Sequence, residues 1–154
     1  MKSKRLPLIS VSVALLLTLG FIWYNSTLSI ADSREESAGL LASLQPLLDA
    51  IFGVGTITNH ILRKAAHFCE FTLLGGELRL LFWLLEQRGM QGQANALFAG
   101  LAAAVTDETI QLFFDRGSMV QDVLLDFSGV FAGALLLFLA ARLPARCGKK
   151  RAET

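Results

Sequence analysis

"DVLLDFSGVFAGALLLFLAAR", residues 122 to 142, opens on two aspartates one helical turn apart and then carries no charge from Gly129 to Ala141. Crossing ~30 Å of hydrocarbon takes about 20 mostly apolar residues, and this stretch supplies them. Three other windows also qualify, roughly residues 6 to 24, 65 to 85 and 95 to 114. The expected architecture is therefore all-α: a polytopic integral membrane protein with four transmembrane helices and an amphipathic outer-loop helix. The 154 residues fit one domain, with 1–24 as an N-terminal transmembrane anchor and 143–154 as a basic cytoplasmic tail. Composition agrees, since 53% of the chain is apolar, high for a soluble domain. A net charge of +1 gives no reason to expect a nucleic-acid partner, so membrane lipids are the expected surroundings. Cys69 and Cys147 lie too far apart in such a topology to form a disulfide.

The first window, "LPLISVSVALLLTLGFIWY", follows Lys2, Lys4 and Arg5 and invites comparison with a signal peptide. Its apolar run exceeds a typical signal core, it ends in Trp23 and Tyr24 as an interfacial belt does, and "LSIADS" is a poor cleavage site. It reads as an uncleaved anchor. With the N-terminus inside, the inner segments hold Lys2, Lys4, Arg5, Arg88, Arg142, Arg146, Lys149, Lys150 and Arg151, against Arg34, Arg63, Lys64 and Arg116 outside. Nine against four places both termini in the cytoplasm and the chain in a bacterial cytoplasmic (inner) membrane. In the long first outer loop, Leu40, Leu41, Leu44, Leu47, Leu48, Ile51 and Phe52 share one helical face, bent by Pro46. That helix is expected to lie along the outer bilayer surface. Gly53 and Gly55 then punctuate the chain.

Polar residues inside the spans follow the helical period. His67, Glu70, Leu74 and Glu77 share a face in the second span, with Lys64 one turn before His67. Asp107, Glu108, Gln111 and Asp115 recur likewise in the third, and Asp122 and Asp126 in the fourth. Counting 1.5 Å per residue along helices of alternating direction brings these groups within ~10 Å of the outer boundary. Unpaired carboxylates there would each cost a few kcal/mol, so they are expected to turn inward and meet Arg63, Lys64, Arg116, a metal or shared protons. Below the aspartates, Gly129 and Gly133 form a small-xxx-small face for close helix packing.

The segments "RKAAHFCEF" (63–71) and "TDETIQLFFDRGSMVQDVLLDFSGVFAG" (106–133) resemble the signature pair of the VanZ-like family of bacterial membrane proteins, named for an accessory protein that lowers susceptibility to teicoplanin. The resemblance covers roughly residues 59 to 138 and implies a protein of the cell envelope. It implicates Lys64, His67, Glu70, Asp107, Glu108, Gln111, Arg116, Asp122 and Asp126, with Gly129 and Gly133 as packing positions. Asp115 stands where a small or neutral residue is expected, which changes the local charge balance.

Several chemistries fit this set. As an active site it offers His67, Glu70, Asp107, Glu108 and Asp126 as candidate catalytic groups. Arg63, Lys64, Gln111, Arg116 and Asp122 would then bind substrate, the cations holding a phosphate on a lipid-linked envelope precursor or polymer. His67 titrates near neutrality and is the natural proton carrier, oriented by Glu70 or Asp107. No cofactor is required, although His67, Glu70, Asp122 and Asp126 carry ligands for a divalent metal, zinc or a harder ion, with His60 two turns away. The same charges also fit a purely structural network in a non-catalytic scaffold, or a proton-coupled transport path extended by Glu77. Cys69 is expected to be a small buried apolar residue, and Ser118 and Ser128 have no base at a spacing that would suggest a serine hydrolase.

Overall fold

The computed structural model describes residues 5–114, 116–117 and 119–142; Lys2, Lys4, Asp115, Ser118 and the basic tail with Cys147 lie outside the described residues. The chain is all-α, with five helices: α1 (Arg5–Thr27), α2 (Ile30–Phe52), α3 (Asn59–Leu84), α4 (Met90–Phe113) and α5 (Val120–Ala140). Local chemistry sets their ends. The Ser29 hydroxyl accepts from the Asp32 N–H at 3.2 Å and starts α2 well before its leucine stripe. Thr58 caps α3 by accepting from the Ile61 N–H at 3.3 Å, so α3 begins six residues ahead of the apolar window. Gly53, at φ 93°, and Gly55, at φ 70°, turn the chain between them in a region that suits glycine.

Three helices, α1, α4 and α5, are long and apolar enough to cross a membrane, and by their hydropathy the chain is a multi-pass membrane protein. At 26 residues α3 has the length, ~39 Å. It carries Arg63, Lys64, Glu70, Glu77 and Arg79, and so falls short on hydropathy. The distribution of side chains is inverted relative to a soluble bundle. Leu16, Leu17, Phe98, Leu124 and Leu136 are all more than 60% exposed, whereas Ala96, Ala104, Val130 and Ala134 are fully buried. Large apolar residues outside and small ones within are what helix association in lipid requires.

α3 and α5 form the tightest pair. A Cβ on Gly129 would strike the Phe68 carbonyl, one on Gly133 the Thr72 carbonyl, and one on Gly75 the Val130 backbone. Phe68 with Gly129 and Thr72 with Gly133 advance together, so these two helices run parallel. α4 joins them where Gly100 receives the Val130 side chain, and α1 docks through Ile22, with Leu15, Leu19 and Trp23 beside it. α2 buries no residue of its own; Leu40, Leu47, Ile51 and Phe52 stand more than half exposed along its apolar stripe. Cys69 corrects an expectation, because it is exposed. It lies two residues, about 200° of helix, from His67 and therefore faces away from the bundle.

Candidate functional site

The first turns of α3 and α5 and the last turns of α1 and α4 meet at one end of the bundle. Lys64 Nζ lies 2.9 Å from an Asp122 carboxylate oxygen, joining α3 to α5 one turn above the buried groups. Deeper, His67 Nδ1 lies 3.7 Å from Asp126 Oδ1 and 4.0 Å from Asp107 Oδ2, so α3, α4 and α5 each contribute one polar group to a common point. Asp107 and Asp126 are 0% and 1% exposed. Neither separation is short enough for a direct hydrogen bond.

Asp107 is held from two sides. Its Oδ1 accepts from the Ser26 hydroxyl at 2.5 Å and its Oδ2 from the Gln111 amide at 2.8 Å, the latter one turn along α4. Arg116, in the turn between α4 and α5, is buried, and its Nη1 donates to the Asn25 carbonyl at 2.7 Å. Burial pulls the guanidinium's pKa below its usual value, while the fields of Asp107 and Glu108 push it back up. Arg116 Nε has no hydrogen-bond partner among the described residues. That free edge suits a two-pronged contact with a carboxylate or phosphate.

These groups surround a cavity of about 190 Å³. Its rim is cationic, with Arg34 from α2, Arg63 and Lys64 from α3, and Arg116; His60 stands among them. Its floor holds His67, Asp126, Glu108 and Gln111, with Asp122 on the wall. Eight of the ten candidate residues thus line one space. Asp107 sits just behind His67, and Glu70 lies off the cavity, with the Asn25 side chain as a hydrogen-bond partner. Glu77 is about two turns deeper than Glu70 and accepts from Thr18 at 3.1 Å.

A model of the VanZ/LLP1 family matches residues 11–141. The chain belongs to the VanZ/LLP1 family. In this VanZ/LLP1 protein the match takes in most of α1 and all of α2 as well as the two charged segments. Neither the curated proteins nor the solved structures compared with the chain include a match.

Sequence reasoning overlooked the contribution of α1. Thr18 and Ser26 each supply a partner to a charged residue on another helix, and Asn25 one to Arg116 in the turn between α4 and α5. The signal was present: Leu15, Thr18, Ile22 and Asn25 or Ser26 follow the i, i+3, i+7, i+10 or i+11 period of one helical face. Arg34 was counted only as a loop charge, although it is the α2 residue that closes the cationic rim.

Proposed function

We propose that this VanZ/LLP1 protein crosses the bacterial cytoplasmic membrane four times, with both termini inside. Its outer cleft holds a phosphate-bearing, lipid-linked component of the cell envelope. The observation that carries the reading is Arg116: a buried guanidinium whose Nε has no hydrogen-bond partner among the described residues, beside Arg63, Lys64 and Arg34 in one cavity. Lys64 is answered by Asp122, but Arg34, Arg63 and the Arg116 Nε still offer donors to one space of about 190 Å³, and phosphate accepts several charge-assisted hydrogen bonds at once. His67 below the rim sets an imidazole against the buried Asp107 and Asp126 carboxylates. Exposed Leu40, Leu47, Ile51 and Phe52 on α2 would lie in the interface and keep the mouth of the cleft at headgroup depth. Teicoplanin susceptibility is then one readout of an altered envelope.

The test is an untargeted lipid and cell-wall comparison of deletion and overexpression strains, with the deletion complemented by wild type, Arg116→Ala or Arg63→Ala. A phosphate-bearing component should change on deletion and be restored by wild type but not by cleft variants present at equal abundance. Full restoration by both variants would remove the anion-binding reading. It would favour the second one, a non-catalytic scaffold, which draws support from Ser26, Gln111 and Lys64 each tying one polar group to another.

A further inference from the structure

The floor of the cleft has a feature that the cationic rim does not explain. His67, Asp107 and Asp126 each present one ligand atom, and the three atoms lie within 4.8 Å of one another. Asp126 is 1% exposed, lines the cavity, and has an oxygen, Oδ2, with no hydrogen-bond partner among the described residues. Among the charged groups around it are the carboxylates Asp107, Glu108, Asp122 and Glu70. Its Oδ2 is uncommitted and its other oxygen, Oδ1, lies 3.7 Å from an imidazole nitrogen, so a positive centre between the carboxylates and the imidazole would satisfy both.

We infer that His67, Asp107 and Asp126 bind one divalent cation of the manganese or zinc type at the floor of the cleft. Ligand atoms about 2.1 Å from a common ion stand about 3.4 Å apart in a tetrahedral site, so three atoms that lie within 4.8 Å of one another, with His67 3.7 and 4.0 Å from the two aspartates, must draw closer as the ion binds. One imidazole nitrogen with two carboxylate oxygens suits these borderline ions better than calcium or magnesium, which prefer oxygen alone. Asp107 is already oriented as metal-bound carboxylates are, by the Ser26 hydroxyl and the Gln111 amide. Three protein ligands from three helices leave the remaining positions toward the cavity, where water or an anion on the rim can enter. The ligand set differs from the one expected from spacing alone: Asp107 replaces Glu70, and Asp122 is engaged with Lys64.

The experiment uses the full chain, purified in detergent, stripped with a chelator and titrated with Mn²⁺ or Zn²⁺ in a buffer free of phosphate. Wild type should take up about one equivalent, and Mn²⁺ bound to it should show the magnetic coupling of one histidine nitrogen. Asp126→Asn and His67→Gln should weaken binding at least tenfold, and Ser26→Ala about 10- to 100-fold through the loosened Asp107. His60→Gln should leave the affinity unchanged. Absence of stoichiometric uptake by wild type, uptake that survives Asp126→Asn, or nitrogen coupling lost with His60→Gln instead of His67→Gln would each overturn the inference. If Asp126→Asn does not fold, the wild-type nitrogen coupling and the His60→Gln control still decide it. Failure here leaves the anion reading intact, because no phosphate takes part in the measurement.

Discussion

Ser26 shows how much one small polar residue can do in an apolar helix. It is fully buried and donates to Asp107, whose other oxygen takes Gln111. Ser26→Ala leaves the carboxylate one donor short in a place without water. Hydrogen bonds to charged groups contribute about 1.5–3 kcal/mol in soluble proteins, while polar contacts between membrane helices average nearer 0.6, so a loss of about 1–2 kcal/mol is expected. Thermal unfolding in detergent measures it, and an unchanged midpoint would show that α1 is only an accessory to the cluster. Lys64 and Asp122 lead to a different magnitude. A desolvated pair would cost ~3–5 kcal/mol on losing one partner, but these side chains are 35% and 23% exposed, which moves Asp122→Asn toward the ~0–1 kcal/mol of surface pairs. Although the sequence does not single out Lys64 and Asp122, the meeting of an aspartate of the fourth span with a cation of the first motif was legible in it, because both sit on the polar faces and at equal depth. Ser26 was not. Thr18 and Asn25 or Ser26 do share the face of Leu15 and Ile22, but in an almost wholly apolar helix that contrast is faint, and a lone serine carries little weight until its partner on α4 is seen.

Helix packing explains why the charges meet. α3 and α5 run parallel with backbones so close that Gly133 faces the Thr72 carbonyl and Gly129 the Phe68 carbonyl. Gly133→Ala should therefore destabilise by about 1–3 kcal/mol or more, because the obstacle is backbone rather than a side chain that can swing away. Gly20→Ala in α1 is the control: nothing lies within 4 Å of the added methyl, so the change should be neutral or stabilising by up to ~1 kcal/mol. Equal losses at both positions would mean that the α3–α5 contact is looser than described. The Gly129–Gly133 spacing announces close packing in the sequence, and Thr72 and Gly76 make a matching small-xxx-small pair on α3 that meets Gly133. Neither pair names the other as its partner, and the parallel α3–α5 pairing emerges only with the fold. α2 was legible as an amphipathic helix from its leucine stripe, yet its first turn, where Ile30 and Arg34 wall the cleft, precedes that stripe and depends on the Ser29 cap.

The molecule as a whole relates the span count to the side on which the cleft opens. α3 lacks the hydropathy of a span, but its first turns meet α5's first turns through Lys64 and Asp122, and its last turns meet α5's last turns where Arg79 lies 5.5 Å from the Phe138 ring. Two parallel helices matched at both ends support the proposed topology, in which α5's apolar length would carry α3 across with it. The charges of α3 fit that proposal in that Lys64 and His67 line the cavity and Arg79 is buried. With α3 as a fourth span, Ser29 and Gly117 share the cleft side while Arg88, in the turn between α3 and α4, lies on the other. Single cysteines at these positions, in a background lacking Cys69 and Cys147, are then distinguishable with a membrane-impermeant thiol reagent in intact cells. The basic residues favour Arg88 inside, so Ser29→Cys and Gly117→Cys should label before lysis and Arg88→Cys only after it. The reverse pattern would turn the cleft toward the cytoplasm and end its assignment to an outer envelope component. Labelling of all three before lysis would mean that α3 does not cross, and the parallel α3–α5 pair would have to be abandoned with it.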